Sequence, residues 1–554
     1  MKFWLLIAAL LGAVYFQTFQ AGFLPWDDDY NITLNLYYKI GVWTDLWTRI
    51  YYGMYIPITS SVWGLLYKVF NGSPLPFRIL NFVLHFINTV LLYNFLTWWM
   101  QRLKINSPWL IWMALALFAF HPLQVETVAW ISGGRDMLST SFALLAIICY
   151  FRLQGLQGFF WGSLIFCASL LCKPQVASLP LIIFLLQIIL DRSRLKKTAL
   201  HMFFWTLPVL AIAALTFNEQ KEVVLKPIEI WQRILVVLDS LGFYWLKLIA
   251  PFSLAVDYGR TPQFLIQNLT SELLPLSLFL ILIISFAILY FKKKNVVSPV
   301  LFLTWIVAML PVSGLIDFAY QEISTTADHY IYFSLVFMSL FFIQILSKLN
   351  IKKIPAILCC SFLCFMWIGL SLNRIQVWLE PKAFFEDMLR GNPHSYSALV
   401  GLGGYESTVQ NYAASLVFFQ KALIERPKDL VANTNIASAL GFLKRYSEVA
   451  KMESLIFEPS FLRSLDKRHI ATASMLTSLG AAAFFLNQID ISILYFCQSQ
   501  VINPHNKEIA NNIDIALKSY RKDYPGATCP RFASNQDFLA TAAAIKLSDR
   551  RLQQ

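Results

Sequence analysis

Charge is scarce in this chain. Asp, Glu, Lys and Arg make up 14% of its 554 residues against 57% hydrophobic, and mean hydropathy is +0.56. Too little charge remains to solvate an ordinary globular surface, so the composition is that of a membrane protein. Acidic residues are scarcer than basic ones, 32 against 45, for a net charge of +13. The surplus does not mark a nucleic-acid binder, because Lys and Arg gather in short loops between apolar runs, as on the cytoplasmic side of a bilayer. Cysteine is also sparse. Six of the eight, Cys149, Cys167, Cys172, Cys359, Cys360 and Cys364, lie in or beside apolar runs without metal spacing, which points to core packing. Cys497 and Cys529 lie in the polar C-terminal part, where an oxidising compartment would allow a disulfide. No A-x-A-like cleavage site precedes Trp26, so residues 1–20 are expected to be an uncleaved span. No retention tetrapeptide is present, and the short loops suit a bacterial inner membrane.

Apolar runs able to cross a bilayer occur near 3–20, 79–100, 108–121, 137–151, 158–172, 174–190, 200–217, 273–291, 298–316, 330–347 and 354–372. They predict an all-α polytopic bundle of about eleven spans over residues 1–372. The basic turns at Arg102/Lys104, Arg152, Arg192–Lys197, Lys292–Lys294 and Lys348–Lys353 all become cytoplasmic if the N-terminus is inside. The stretch 230–256, with Asp239, Lys247, Pro251 and Asp257, must then cross zero or two times, and we read it as re-entrant or interfacial. The segments 21–78, 121–136, the Lys173 turn, 218–272, 317–329 and everything after 373 fall outside.

The external turns carry the chemistry. The first reads Trp26-Asp27-Asp28-Asp29-Tyr30-Asn31-Ile32, three adjacent like charges that repel one another unless solvated or partnered. Such a group could also hold a divalent ion, although no second ligand set is evident. The second turn places His121, Glu126, Arg135 and Asp136 within sixteen positions at a membrane boundary, where ionisable groups usually mark a site. A structural Arg135–Asp136 pair is the alternative. Lys173, in Cys-Lys-Pro, either snorkels to the interface or serves the site. The last turn, Ala327-Asp328-His329-Tyr330-Ile331-Tyr332, offers a structural His or a group for an anionic ligand. Together these turns suit a reaction between an anionic lipid-linked donor and a neutral nucleophile. A carboxylate would be the general base, and Arg, Lys or His would stabilise the departing phosphate.

The order W-D-D-x-x-x-I-x-x-N (Trp26 to Asn35), H-P-x-x-x-E-x-V-A-x-I-x-x-x-R-D-x-L (His121 to Leu138), a C-K turn (Lys173) and A-D-x-Y-x-Y (Ala327 to Tyr332) resembles the transmembrane-and-tetratricopeptide O-mannosyltransferases and their bacterial relatives. These belong to the GT-C class of polyprenol-phosphate-sugar-dependent glycosyltransferases, and the resemblance extends over nearly the whole chain. It implies an acidic residue in the first external loop, Asp27 or Asp28, that activates the acceptor hydroxyl; the choice leans to Asp28, without a physical reason that separates the two. It implies donor-phosphate binding by Arg135, Lys173 and His329, with His121, Glu126, Asp136, Asp328 and Tyr330 binding substrate or supporting. Relatives usually carry Arg where this chain has His329, which would make that role depend on pH.

After about 373 the period changes. Gly403, Ser415, Phe419, Ala422 and Pro427 follow tetratricopeptide spacing, and Gly480, Ser492, Phe496, Ser499 and Pro504 repeat it. Asn392-Pro393 lies 34 residues before Arg426-Pro427, the period of that repeat. Residues 373–520 are therefore expected to form a short extracytoplasmic solenoid that binds a protein or peptide, and 521–554 a looser cap. Three functions compete: a glycosyltransferase using a polyprenyl-phosphate sugar, a membrane-anchored scaffold without activity, and a transporter of a lipid-linked saccharide. A scaffold has no need of charges gathered on one face, and a transporter more often carries them mid-span. The enzyme is the expectation.

Overall fold

The computed structural model describes every residue except 1, 49, 51–52, 154, 221–227, 269–276, 278, 286, 289–295, 350–352, 467–468, 523, 531, 533 and 553–554. Among the described residues the regular structure is helical, without strands. The chain divides into two compact units, Met1–Pro393 and His394–Gln554.

The first unit holds α1 (Lys2–Tyr15), α2 (Leu75–Arg102), α3 (Trp109–Phe120), α4 (Gly134–Arg152), α5 (Gly155–Cys172), α6 (Leu179–Leu190), α7 (Leu195–Gln220), α8 (Ile230–Ile249), α9 (Val297–Met309), α10 (Ile331–Leu346), α11 (Lys353–Ile375) and α12 (Pro381–Gly391). Among the described residues, seven helical segments are long and apolar enough to cross a membrane, and the bent pair Trp109–Phe120 with Pro122–Ala129 makes an eighth. Pro174–Leu190 and Val297–Val312 are apolar but shorter. The predicted span near 273–291 lies largely outside the described residues. The stretch after 229 forms the continuous helix α8, capped at Glu229 by reciprocal hydrogen bonds with Gln232.

The burial pattern suits lipid. Phe362 and Phe365 on α11 and Phe203 on α7 point outward, while polar side chains turn in. His85 and Asn88 on α2 share the Tyr332 hydroxyl of α10 at 2.9 and 3.1 Å, and Ser141 of α4 donates to Asn88 at 2.7 Å. Without water, each such bond links helices by about 0.6–2 kcal/mol.

Two X-Pro steps shape one end of the helices. The residue before proline is forced out of the helical region. His121 before Pro122 is extended (φ −66°, ψ 134°), which ends α3 and starts a 44° bend. Lys173 before Pro174 is extended too (φ −162°, ψ 128°), which ends α5. Both side chains thereby leave the helix ladder at the same end of the helices as the loop after α1.

In the second unit, α13 (Tyr396–Thr408), α14 (Tyr412–Glu425), α15 (Leu430–Phe442), α16 (Ile470–Phe485), α17 (Ile489–Ile502) and α18 (Lys507–Tyr520) pack each on the next, and α19 (Asn535–Leu552) returns to α17. Short turns join the helix pairs, with Gln410, Lys444 and Asn487 in the left-handed region. A Cβ at Gly403 would lie 2.5 Å from the Phe419 ring, and one at Gly480 would lie 2.8 Å from the Phe496 ring. The same small-against-aromatic contact therefore closes two helix pairs. Cys497 and Cys529 are joined in a disulfide.

Candidate active site

The three carboxylates of the first loop diverge. Asp29 accepts from Thr33 Oγ1 at 2.9 Å. Asp28 turns inward, is fully buried, and accepts from Leu24 N at 3.2 Å, Ser132 N at 3.0 Å and Ser132 Oγ at 2.7 Å. Burial pushes its carboxyl up to about 6, against the opposing pull of the Ser132 hydrogen bond and the Arg78 charge. Asp27 turns the other way, remains 39% exposed and pairs with Arg135 at 3.0 Å. Three oxygens sets aimed at three partners do not form a cation's donor shell, and no group of three or more His, Cys, Asp or Glu suited to a metal occurs among the described residues.

Arg135 stands in the first turn of α4, buried, with its guanidinium 5.1 Å from the Trp130 ring. Next to it, fully buried Asp136 accepts from Lys173 Nζ at 2.5 Å, and its other oxygen lies 3.9 Å from Arg135. Lys173 also lies 5.6 Å from the Tyr330 ring. Burial brings its ammonium down to about 8, while Asp136 holds it up. It therefore carries charge at neutral pH. Asp27, Arg135, Asp136 and Lys173 form one alternating chain of charges drawn from three separate segments.

A second pair adjoins it. His329 Nδ1 lies 2.5 Å from Glu126 Oε1, both buried, with the His329 ring 4.2 Å from Tyr330 and 5.4 Å from Trp130. Trp130 thus stands between the two charge systems. Two predicted residues have further partners. His121 accepts from Leu123 N through Nδ1 and reaches Leu248 O of α8 through Nε2 at 3.1 Å, so both nitrogens serve the turn. Asp328 accepts from the Tyr258 hydroxyl at 2.6 Å.

Sequence reasoning missed the frame around these groups. Arg78, near the start of α2, donates to Ala21 O at 3.0 Å, Ala129 O at 2.6 Å and Gly22 O. Asn81, one turn on, donates to Trp130 O at 2.7 Å. These bonds clamp the loop after α1 to the 121–138 segment. An arginine opening an apolar span was the available signal. Trp130 was missed as well, though an indole five residues before an arginine in a polar turn offers its ring face to that cation. Arg374 of α11, paired with Asp387 of α12 at 2.7 Å, lay beyond the motifs.

Of the residues in the cluster, Asp27 alone opens to solvent; Glu126, Arg135, Asp136, Lys173, His329 and Tyr330 are all buried. Several of their polar atoms lack a hydrogen-bond partner among the described residues: Glu126 Oε2, Trp130 Nε1, Arg135 Nε and both amide atoms of Gln175 on the Lys173 turn.

No family model matches the chain, and no solved structure matches it. Curated proteins do. It is 27% identical over 180 residues to protein O-mannosyl-transferase TMTC2 of Homo sapiens, over 28% of this chain and 20% of that protein. It is 25% identical over 288 residues to protein O-mannosyl-transferase Tmtc2 of Drosophila melanogaster, over 46% and 30%. It is 30% identical over 182 residues to protein O-mannosyl-transferase Tmtc1 of Drosophila melanogaster, over 30% and 20%. The chain spans less than a third of the length of these relatives. The chain is a multi-pass membrane protein that is similar, over part of its length, to proteins named protein O-mannosyl-transferases.

Proposed function

We propose that the first unit is a GT-C-type glycosyltransferase. It transfers a sugar, mannose by its relatives' names, from a polyprenyl-phosphate donor to a Ser or Thr hydroxyl of a protein. The observation that carries this reading is the solvent-open Asp27 carboxylate held 3.0 Å from buried Arg135. The donor's phosphate competes for Arg135 and releases Asp27. Asp27 then takes the proton of the acceptor hydroxyl as the oxygen bonds to the sugar's anomeric carbon. The anomeric carbon–phosphate bond breaks, and the phosphate leaves with the electron pair, its charge met by Arg135 and by protonated Lys173. Asp136 holds Lys173 in place. His329, fixed by Glu126, and Tyr330 form the adjoining wall. The buried polar atoms of Glu126, Trp130 and Gln175 without partners suit a polar ligand in this region.

With the basic turns cytoplasmic, the reaction takes place on the extracytoplasmic face. The Cys497–Cys529 bond fits an oxidising compartment, and the short loops fit a bacterial inner membrane with the second unit in the periplasm. The recurring Gly403–Phe419 and Gly480–Phe496 contacts support a tetratricopeptide array that presents the acceptor protein. The test is incubation of the purified chain with radiolabelled polyprenyl-phosphate sugars and Ser/Thr peptides. Label on peptide, absent with Asp27→Asn, is expected. Label that reaches only lipid, or that persists in Asp27→Asn, overturns the reading.

A further inference from the structure

A cavity in the first unit lies away from the candidate active site. It has a volume of about 530 Å³ and lies at the far ends of α2 and α4 and the near ends of α5 and α7. Along α4 the distance from Asp136 to Arg152 is about 24 Å at 1.5 Å per residue. Arg102, Arg152, Arg194 and Lys197 line it, with Asp191 the one carboxylate. Arg194 pairs with Asp191 at 3.2 Å. Among the described residues none of the other three cations has a carboxylate partner. Arg152 donates to Asn94 O at 2.8 Å, and Arg102 lies 5.6 Å from the Trp98 ring. Polar groups also face the cavity from the helices. Thr198 and His201 are buried on α7, and both approach the Tyr150 hydroxyl, at 3.4 and 3.2 Å. Such a cavity has an excess of positive charge and a built polar floor.

A second cavity adjoins it. It is about 360 Å³, apolar, and runs between α5 and α7, with Phe159, Phe166, Cys167, Phe204 and Trp205 in its walls. The two share no lining residue, but rings from their walls are in contact. Phe159 of the apolar groove stacks on His201 of the basic cavity at 4.3 Å, and Trp205 lies 5.8 Å from Tyr150. Phe160 and Phe204 are exposed along the groove, on the flank of two apolar helices.

We infer that these neighbouring cavities bind one phosphate-bearing membrane lipid, its anionic headgroup among Arg102, Arg194 and Lys197 and an acyl chain in the groove between α5 and α7. Solvated basic loops explain the charge but not an aromatic groove beside it. A free phosphate compound would use the cavity and leave the groove unused. The leaflet is the one at the basic turns, expected to be cytoplasmic, where anionic headgroups attract such residues. The inference stands apart from the transfer reaction and does not need it.

The test uses the full chain in nanodiscs of phosphatidylcholine containing a minority of phosphatidylglycerol with brominated acyl chains. Tryptophan quenching reports binding, and native mass spectrometry counts the lipid retained after detergent washing. Phosphatidylglycerol is expected to bind at least about tenfold more tightly than phosphatidylcholine, and the Arg102→Ala/Arg194→Ala/Lys197→Ala variant should lose that preference. Arg192→Ala/Lys196→Ala, on the same turn but outside the cavity, should keep it. Cys167→Trp, which fills the groove, should release the lipid. Equal losses in the triple and control variants would reduce the effect to surface charge and overturn the site. Retention in the triple variant would do the same. Displacement by glycerol phosphate at the concentration of the intact lipid would replace the lipid by a soluble ligand.

Discussion

Asp27 and Asp28 are adjacent in the chain and opposite in environment. Asp28 is enclosed by the Leu24 and Ser132 donors, whereas Asp27 meets solvent and Arg135. Asp27→Asn is expected to lower transfer by about 10²–10⁴-fold with an unchanged unfolding temperature. Asp28→Asn should instead lower the unfolding temperature, because the amide cannot accept all three donors through equivalent oxygens. A reversal of those two phenotypes would exchange the assigned roles. The pH dependence separates them again. Burial raises the folded Asp28 pKa from 3.8 to about 6. The folded state therefore holds this proton more tightly than the unfolded one, so the contribution is full below about 3.8 and lost as pH rises through about 6. Thermal unfolding should show this decline in the parent chain and not in Asp28→Asn. Lys173 sets the alkaline side. Burial lowers its pKa to about 8 despite Asp136, so its charge is present below that pH. The donor KM is expected to rise above about pH 8, and Lys173→Arg, which does not titrate there, should flatten that limb. An alkaline limb of unchanged shape in the Arg variant would remove Lys173 from phosphate binding.

The elements matter through where they stop. Gly133 joins the short helix Val125–Ala129 to α4, and a Cβ there would lie 2.1 Å from the Thr127 carbonyl oxygen. That backbone contact has no flexible side to yield. Gly133→Ala is therefore expected to open the turn that presents Ser132 to Asp28, at about 1–3 kcal/mol of destabilisation and with loss of transfer. Thermal unfolding and activity together check it, and a stable, active Gly133→Ala protein would refute the account. In the second unit, Cys497 on α17 is tied to Cys529 beyond α18 across a separation of 32 residues. Its removal by Cys497→Ala should destabilise this end by about 2–4 kcal/mol, read as earlier proteolytic cleavage after residue 520. An identical cleavage pattern with and without reductant would show that the link is not holding the end.

At the scale of the molecule, the first unit holds polar clusters within an apolar core, shows apolar side chains on its flanks, and differs in charge between its two ends. One end carries the Asp27–Arg135–Asp136–Lys173 chain, and the other carries the basic turns around Arg102 and Arg194. Cysteine-accessibility labelling of intact cells should react single cysteines near residue 45 from outside and those near residues 104 and 193 only after permeabilisation. Labelling of all three from one side would invert or dissolve the proposed orientation.

The apolar runs, the helical class and the identity of the charged turns could be read directly from the chain, because hydrophobic length and the rarity of ionisable groups beside a span are local properties. The helix ends at His121 and Lys173 were equally open to reading, since proline acts on its immediate neighbour. Pairing was not. Asp136 finds Lys173, Glu126 finds His329 and Asp28 finds Ser132 across long separations, and Arg78 and Trp130 complete the frame unannounced. Residue order specifies which groups must leave water, but only packing in three dimensions decides which of them meet. Successive side chains in a turn diverge, so the choice between neighbouring carboxylates rests with the segments that close around them.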